Sequence, residues 1–210
     1  MLTGFLSKHF SEDQFFIDAP LSKYTYTKIG GNADFLIFPN SVDELSSLLS
    51  FCHENDIRVT ILGNASNVLI SSEGIRGVVI ILTNIKGITL SSYYDNNSPI
   101  ITCAAGEALI DVSQFALSES LSGLEFACGI PGSIGGAIYM NAGAYGGEIK
   151  DVFLSAVACN IEGKIIHLNK DDLDFSYRYS SLQNQPLFIV EVSFSLTKYP
   201  KLPAFSPVFR

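Results

Sequence analysis

The chain has 210 residues, long enough to bury on the order of 70% of its unfolded surface, and at about 150 residues per domain it sits between one large domain and two small ones. Hydrophobic residues make up 47% and charged residues only 16%, which excludes a disordered tail, since that needs low hydrophobicity and high charge. Thirteen basic against twenty-one acidic residues give a net charge of −8, which argues against nucleic acid or an anionic membrane as partner and leaves no basic patch to hold a phosphate.

Residues 1–20 read as a short amphipathic lead-in; Ser, Lys, His, Glu and Asp break its apolar residues, so it does not read as a signal peptide. Residues 34–38 form an apolar strand stopped by Pro39 and Asn40. Ser41 caps a following helix, with Glu44 three residues on to complete a capping box and Val42, Leu45, Leu48, Leu49 and Cys52 as its apolar stripe. Residues 57–62 are a second strand, so 34–62 make a β-α-β unit with a parallel right-handed crossover as the default. Short β-branched strands follow at 68–70, 78–82, 88–90 and 100–103. Residues 108–120 are helical, with Leu109, Val112, Phe115 and Ala116 on one face, and strands return at 152–160, 164–168 and 187–196. The coarse result is an α+β chain of two closely packed lobes, divided near residue 83.

No apolar run approaches the ~20 residues of a membrane helix. The four cysteines, Cys52, Cys103, Cys128 and Cys159, lie far apart without a C-x-x-C pair, which reads as free, mostly buried thiols in a reducing cytoplasm. His9, His53 and His167 are equally scattered, and no metal site is expected.

Two segments carry chemistry. The first is Gly63-Asn64-Ala65-Ser66-Asn67, directly after a strand. Small polar residues around a glycine let consecutive N–H groups converge on an anion without a cationic side chain; an ordinary turn between strands is the competing reading. The second runs from Gly129 to Gly147, with seven of the seventeen glycines in nineteen uncharged residues. Its backbone must run close against a large, flat, mostly apolar ligand, and Gly132-Ser133-Ile134-Gly135-Gly136 suits a helix N-terminus facing a phosphate; a purely structural glycine cluster is the alternative. Neither segment is a Walker loop or a G-x-G-x-x-G fingerprint. Two anion-friendly, neutral segments in an acidic chain fit a cofactor with a diphosphate and a broad ring system, and FAD matches.

The residues Pro20-Leu-Ser-Lys-Tyr-Thr25, Ile29-Gly-Gly-Asn-Ala-Asp34, Leu62 to Asn67, Gly129 to Glu148 and Phe175-Ser-Tyr-Arg-Tyr-Ser180 resemble the UDP-N-acetylenolpyruvoylglucosamine reductase (MurB) family, in order and with compatible spacing. The resemblance implies an FAD-binding fold of the vanillyl-alcohol-oxidase type, with FAD-binding subdomains at 1–83 and 84–197 clasping the flavin and 198–210 as a remnant of a linker and third domain. It implies reduction of an enolpyruvyl UDP-sugar to UDP-N-acetylmuramate with NADPH, in peptidoglycan precursor synthesis. By that resemblance Gly63, Asn64, Ala65, Ser66, Asn67, Gly129, Pro131, Gly132, Ser133, Gly135, Gly136, Asn141, Gly143, Ala144 and Tyr145 bind the cofactor. Arg178 is the catalytic arginine, and Tyr177 lines the substrate site.

Two departures stand out. Ala65 replaces the family's usual glycine, which implies a strained or reshaped turn costing on the order of 1 kcal/mol. Past Leu196 the resemblance fades: Pro207 falls where the family's serine acid belongs, Ser206 lies one residue before it, and the late glutamate has no counterpart. The chain therefore reads as a truncated reductase or a remnant. The alternatives are an FAD-holding fragment that cannot finish the reaction alone and a flavin oxidase of the wider superfamily, the latter opposed by the Tyr-Arg-x-Ser motif. An uncovered docking surface for the third domain would favour self-association.

Overall fold

A computed structural model of the chain describes residues 1–94 and 98–199. Helix α1 (Leu2–His9) turns the amphipathic lead-in into packing: Leu2 and Leu6 are buried, and the Phe5 ring stacks on Phe51 at 4.1 Å between centroids. Strand β1 (Phe15–Pro20), which the sequence pattern does not announce, pairs antiparallel with β2 (Asn32–Ile37). Helix α2 (Val42–Glu54) follows, then β3 (Val59–Leu62) and β4 (Ile75–Ile81). The sheet order is β1-β2-β4-β3, with β2 and β3 both parallel to β4. The β-α-β unit is thus parallel as expected, but the later strand β4 inserts between its two strands.

The reason lies in β4 itself. Val78 and Ile80 pack toward α2, while Val79 and Ile81 pack toward Leu21 and Ile70. A strand aliphatic on both faces belongs inside a sheet covered on both sides. Residues 68–70, read as a strand, form none; Ile70 is buried against Leu21 and Leu36 from a loop instead. The Ser41 hydroxyl accepts from the Glu44 N–H at 3.2 Å as the cap requires. The Glu44 carboxylate, however, accepts from the Asn40 N–H (2.8 Å) and Gln14 Nε2 (2.7 Å), so it ties the helix start to the α1–β1 loop rather than closing the box on Ser41.

The second half runs β5 (Ile88–Tyr94), β6 (Ser98–Ala104), α3 (Leu109–Ser118), β7 (Leu121–Ser122), α4 (Ile134–Tyr139), β8 (Gly143–Ala144), β9 (Gly147–Glu148), α5 (Ile149–Val152), β10 (Phe153–Asn160), β11 (Ile165–Asn169), β12 (Phe175–Ser176), β13 (Tyr179–Ser180), β14 (Leu187–Ser195) and β15 (Thr197–Lys198). Five of these strands form an antiparallel sheet, β11-β10-β14-β6-β5. On one face Ala156, Ala158, Val192 and Phe194 meet the buried side of α3, α4 and α5. On the other, Cys159 and Val190 meet Leu45, Leu48, Leu49 and Cys52 of α2. Helix α2 therefore packs against both sheets, and its Ser46 hydroxyl donates to the Gly163 carbonyl in the β10–β11 turn at 2.6 Å. That shared helix fixes where the end of β3 stands relative to α4.

Among the described residues no helix is long and apolar enough to cross a membrane. Ser206 and Pro207 lie outside the described residues.

Candidate FAD-binding site

Strand β3 delivers residues 63–67 to the start of α4. At Gly63 a Cβ would stand 2.0 Å from the Ser133 Oγ, so any side chain there would force Ser133 to move. Ala65 is buried with φ 49°, in the left-handed region, as its replacement of a glycine implied; its carbonyl accepts from the Tyr26 N–H at 3.2 Å, which pins the turn. Among the described residues, no N–H group from Gly63 to Asn67 donates to a protein acceptor. Five successive unpaired amides beside a cavity are a cradle for an anion.

The facing wall is the beginning of α4. Ser133 is its N-cap residue, yet its hydroxyl makes no cap bond. Its Oγ is buried without any hydrogen-bond partner, alone in this respect among the described residues, and such a group costs ~1–3 kcal/mol when left unmade. The sequence put the free amides of this helix start on a phosphate. The structure corrects part of that: the Ile134 N–H donates to Glu107 O and the Gly135 N–H to Ala105 O, both at 2.9 Å, binding α4 to the loop after β6. Among the described residues the amides of Gly132, Ser133 and Gly136 have no acceptor.

Between the two walls lies a cavity of about 430 Å³, within the range of small-molecule sites. Ile61, Leu62, Val68, Leu82, Phe188 and Ile189 make much of its surface apolar. Asn64, Ser66, Asn67, Ser133, Gln183 and Gln185 supply polarity, and no charged side chain lines it. A partnerless hydroxyl, a row of unpaired amides and an apolar wall fit a diphosphate joined to a flat ring system.

Of the residues singled out from sequence, Gly63, Asn64, Ala65, Ser66, Asn67, Gly132, Ser133, Gly135 and Gly136 line this cavity. Gly129 and Pro131 are exposed and stand outside its lining. Asn141, expected at the cofactor, is instead a staple. Its Nδ2 donates to Glu148 Oε2 (2.5 Å) and Ser176 O (2.9 Å), its Oδ1 accepts from the Lys150 N–H (3.0 Å), and its amide is fully used by the protein. Gly143 and Ala144 likewise lie outside the lining, paired with Gly147 and Glu148 in the β8–β9 hairpin, and Tyr145 sits at its tip, 94% exposed. The opposite wall, with Tyr139, Met140, Leu182, Gln183, Gln185 and Phe188, was not anticipated.

Arg178 occupies the two-residue turn between β12 and β13 with Tyr177. It is exposed, has φ 55°, and its guanidinium carbon lies 5.5 Å from the Tyr177 ring centroid. No carboxylate pairs with it among the described residues. The turn is sewn to α4: Ser180 Oγ donates to Tyr139 O at 2.8 Å, and Gln183 Nε2 donates to Tyr139 O (3.1 Å) and Arg178 O (3.2 Å). Cys52 and Cys159 have thiols pushed up to about 11 by burial, and burial with help from Glu107 and Glu191 raises Cys103 further, so these three are packing groups.

A neutral, amide-lined cavity thus lies where these two sheets meet. Residues 33–169 match the model described as FAD binding domain, and the chain belongs to that family. Its similarity runs to UDP-N-acetylenolpyruvoylglucosamine reductases. The Listeria welshimeri reductase is 46% identical over 191 residues, covering 91% of this chain and 62% of that protein. The crystal structure of the reductase from Thermus caldophilus superposes with a TM-score of 0.70 at 29% identity, over 90% of this chain and 63% of that one. The VAO-type flavoprotein MtVAO615 of Myceliophthora thermophila shares the fold alone, with a TM-score of 0.63 at 12% identity over 80% of this chain and 32% of that one. The fold is therefore the α+β architecture of VAO-type flavoproteins. The chain spans about three fifths of the length of the reductases it matches.

Proposed function

We propose that the chain is an FAD-dependent UDP-N-acetylenolpyruvoylglucosamine reductase, acting in the cytoplasm with NADPH as hydride source and an enolpyruvyl UDP-sugar as substrate. The observation that carries this reading is the pairing of a partnerless Ser133 hydroxyl with the unpaired amides of residues 63–67 across one neutral cavity. In this reading residues 1–83 and 84–197 are the two subdomains that clasp the cofactor.

FAD, when bound, supplies the centre that takes hydride from NADPH and passes it to the enolpyruvyl double bond. The chain's own contribution is positional and electrostatic. Main-chain dipoles from Gly63 to Asn67, with the Ser133 hydroxyl, would hold the diphosphate without a compensating cation. Ile61, Leu82 and Phe188 line the cavity and would keep water from the apolar part of the cofactor. Arg178, which has no carboxylate partner among the described residues, holds the substrate carboxylate through its planar donors. Hydride arriving at the β-carbon pushes charge into that carboxylate as an enediolate, which the guanidinium stabilises. Tyr177 offers its ring face to the guanidinium, 5.5 Å from centroid to carbon.

An FAD-binding fragment that needs a further domain for turnover is the second reading, favoured by the coverage of only about three fifths of the relatives. Mixing the purified chain with FAD, NADPH and the enolpyruvyl UDP-sugar separates the two. Formation of UDP-N-acetylmuramate, read by mass spectrometry, supports the enzyme; flavin bleaching without product supports the fragment. A colourless chain that takes up no FAD refutes both.

A further inference from the structure

We propose that Gln183 is the positioning residue of the Arg178 turn, which rests on the reading of Arg178 as the group that holds the substrate carboxylate. Arg178 has φ 55°, a conformation that is strained for a non-glycine residue and persists only where neighbours hold it. The exposed guanidinium cannot do this, so the hold must come through the backbone. Gln183 provides it. A primary amide has two N–H donors, and two carbonyls, Tyr139 O at 3.1 Å and Arg178 O at 3.2 Å, receive them.

The Gln183 side chain is itself aimed by its surroundings. Leu182 and Ser181 on one side of it are buried. The Ser181 N–H donates to Asp174 O at 3.0 Å, closing the loop around the β12–β13 hairpin. Tyr139 O belongs to the last turn of α4, whose carbonyls have no partner within the helix, and it accepts from Ser180 Oγ as well. Helix α4 thus presents the partnerless Ser133 hydroxyl at one end and the anchor of the Arg178 turn at the other. Gln183 also lines the cavity, so one side chain touches both the cofactor's space and the arginine's backbone.

Gln183→Glu keeps the shape and removes both donors at neutral pH, placing a carboxylate against two carbonyls. Gln183→Met removes the same donors without charge and replaces it should the first variant fail to fold. Hydrogen exchange by mass spectrometry on the cofactor-free chain is expected to speed up five- to tenfold at residues 175–180. In the FAD-loaded chain, phosphoenolpyruvate serves as a small enolpyruvyl carboxylate, and its perturbation of the flavin absorbance band is titrated. Arg178→Ala and Gln183→Glu are each expected to weaken that response at least tenfold, and the double variant no further than Arg178→Ala alone. Such non-additivity marks a residue acting through Arg178 rather than a general loop staple. A response that Arg178→Ala leaves intact, or none in the unaltered chain, overturns the reading of Arg178, and the exchange rates alone then decide Gln183. A response lost in Arg178→Ala but kept in Gln183→Glu, or unchanged exchange at 175–180, overturns the positioning role and leaves the arginine reading standing.

Discussion

Replacing Ser133 by alanine should move stability and cofactor affinity in opposite directions. The Ser133 residue is 2% exposed, and its Oγ has no partner among the described residues. In the cofactor-free chain, removing an unsatisfied buried hydroxyl recovers part of a cost of about 1–3 kcal/mol. For a chain of this size, 1 kcal/mol corresponds to roughly 2–4 °C in Tm, so Ser133→Ala is expected to melt a few degrees higher without FAD. In the proposed complex the hydroxyl would donate to a charged phosphate oxygen, a bond worth about 1.5–3 kcal/mol, and losing it is expected to weaken binding about 10- to 100-fold at 1.4 kcal/mol per decade. Thermal melting by circular dichroism and FAD titration by quenching of flavin fluorescence give the two numbers. A variant that is less stable without FAD and binds FAD as tightly as the parent refutes the reasoning, since Ser133 would then be an ordinary cap residue.

Gly63→Ala places a methyl group 2.0 Å from Ser133 Oγ and 3.2 Å from Ser133 Cβ. Overpacking of this kind costs about 1–3 kcal/mol; Tm should fall, and adding Ser133→Ala should restore part of it. A Gly63→Ala chain as stable as the parent would mean that the two walls do not touch. Of the four cysteines only Cys128 is exposed, so a thiol reagent at pH 8 should modify one site in the folded chain and four after denaturation. Because burial raises the thiol pKa of Cys52 and Cys159 to about 11, raising the pH toward 9 should leave those two unreactive, and rapid labelling of either would contradict their packing.

The parts of the molecule legible in the sequence are those set by local pattern. The aliphatic run ending β4 announces a strand buried on both faces, and the Ser41 cap with its Leu45, Leu48 and Leu49 stripe announces α2. Strand β1 escapes because it is an edge: Phe16 and Ile17 are exposed and Asp18 takes φ 51°, so neither alternation nor a continuous apolar run remains. Val68, Leu69 and Ile70 mimic a strand, yet Leu69 is 78% exposed and Ile70 serves as a plug. The glycine-bearing walls of the cavity were readable because close backbone approach excludes side chains there. Which helix amides stay free was not, since Ala105 and Glu107 claim two of them through a contact set by the tertiary fold. Gln183 carries a weak signal, a polar residue just after the Tyr-Arg-x-Ser motif, and only the packing of that loop on α4 gives it a role.

The central claim is that neutral main-chain dipoles, not lysines or arginines, grip the diphosphate of FAD. Titrating the cofactor-free chain with FAD at about 0.05 M and about 0.5 M salt tests it most directly, because added ions screen charge pairs strongly over that range. The account predicts tight binding whose Kd changes less than about threefold. A Kd that weakens tenfold or more as salt rises, or a chain that binds no FAD at either concentration, would contradict it.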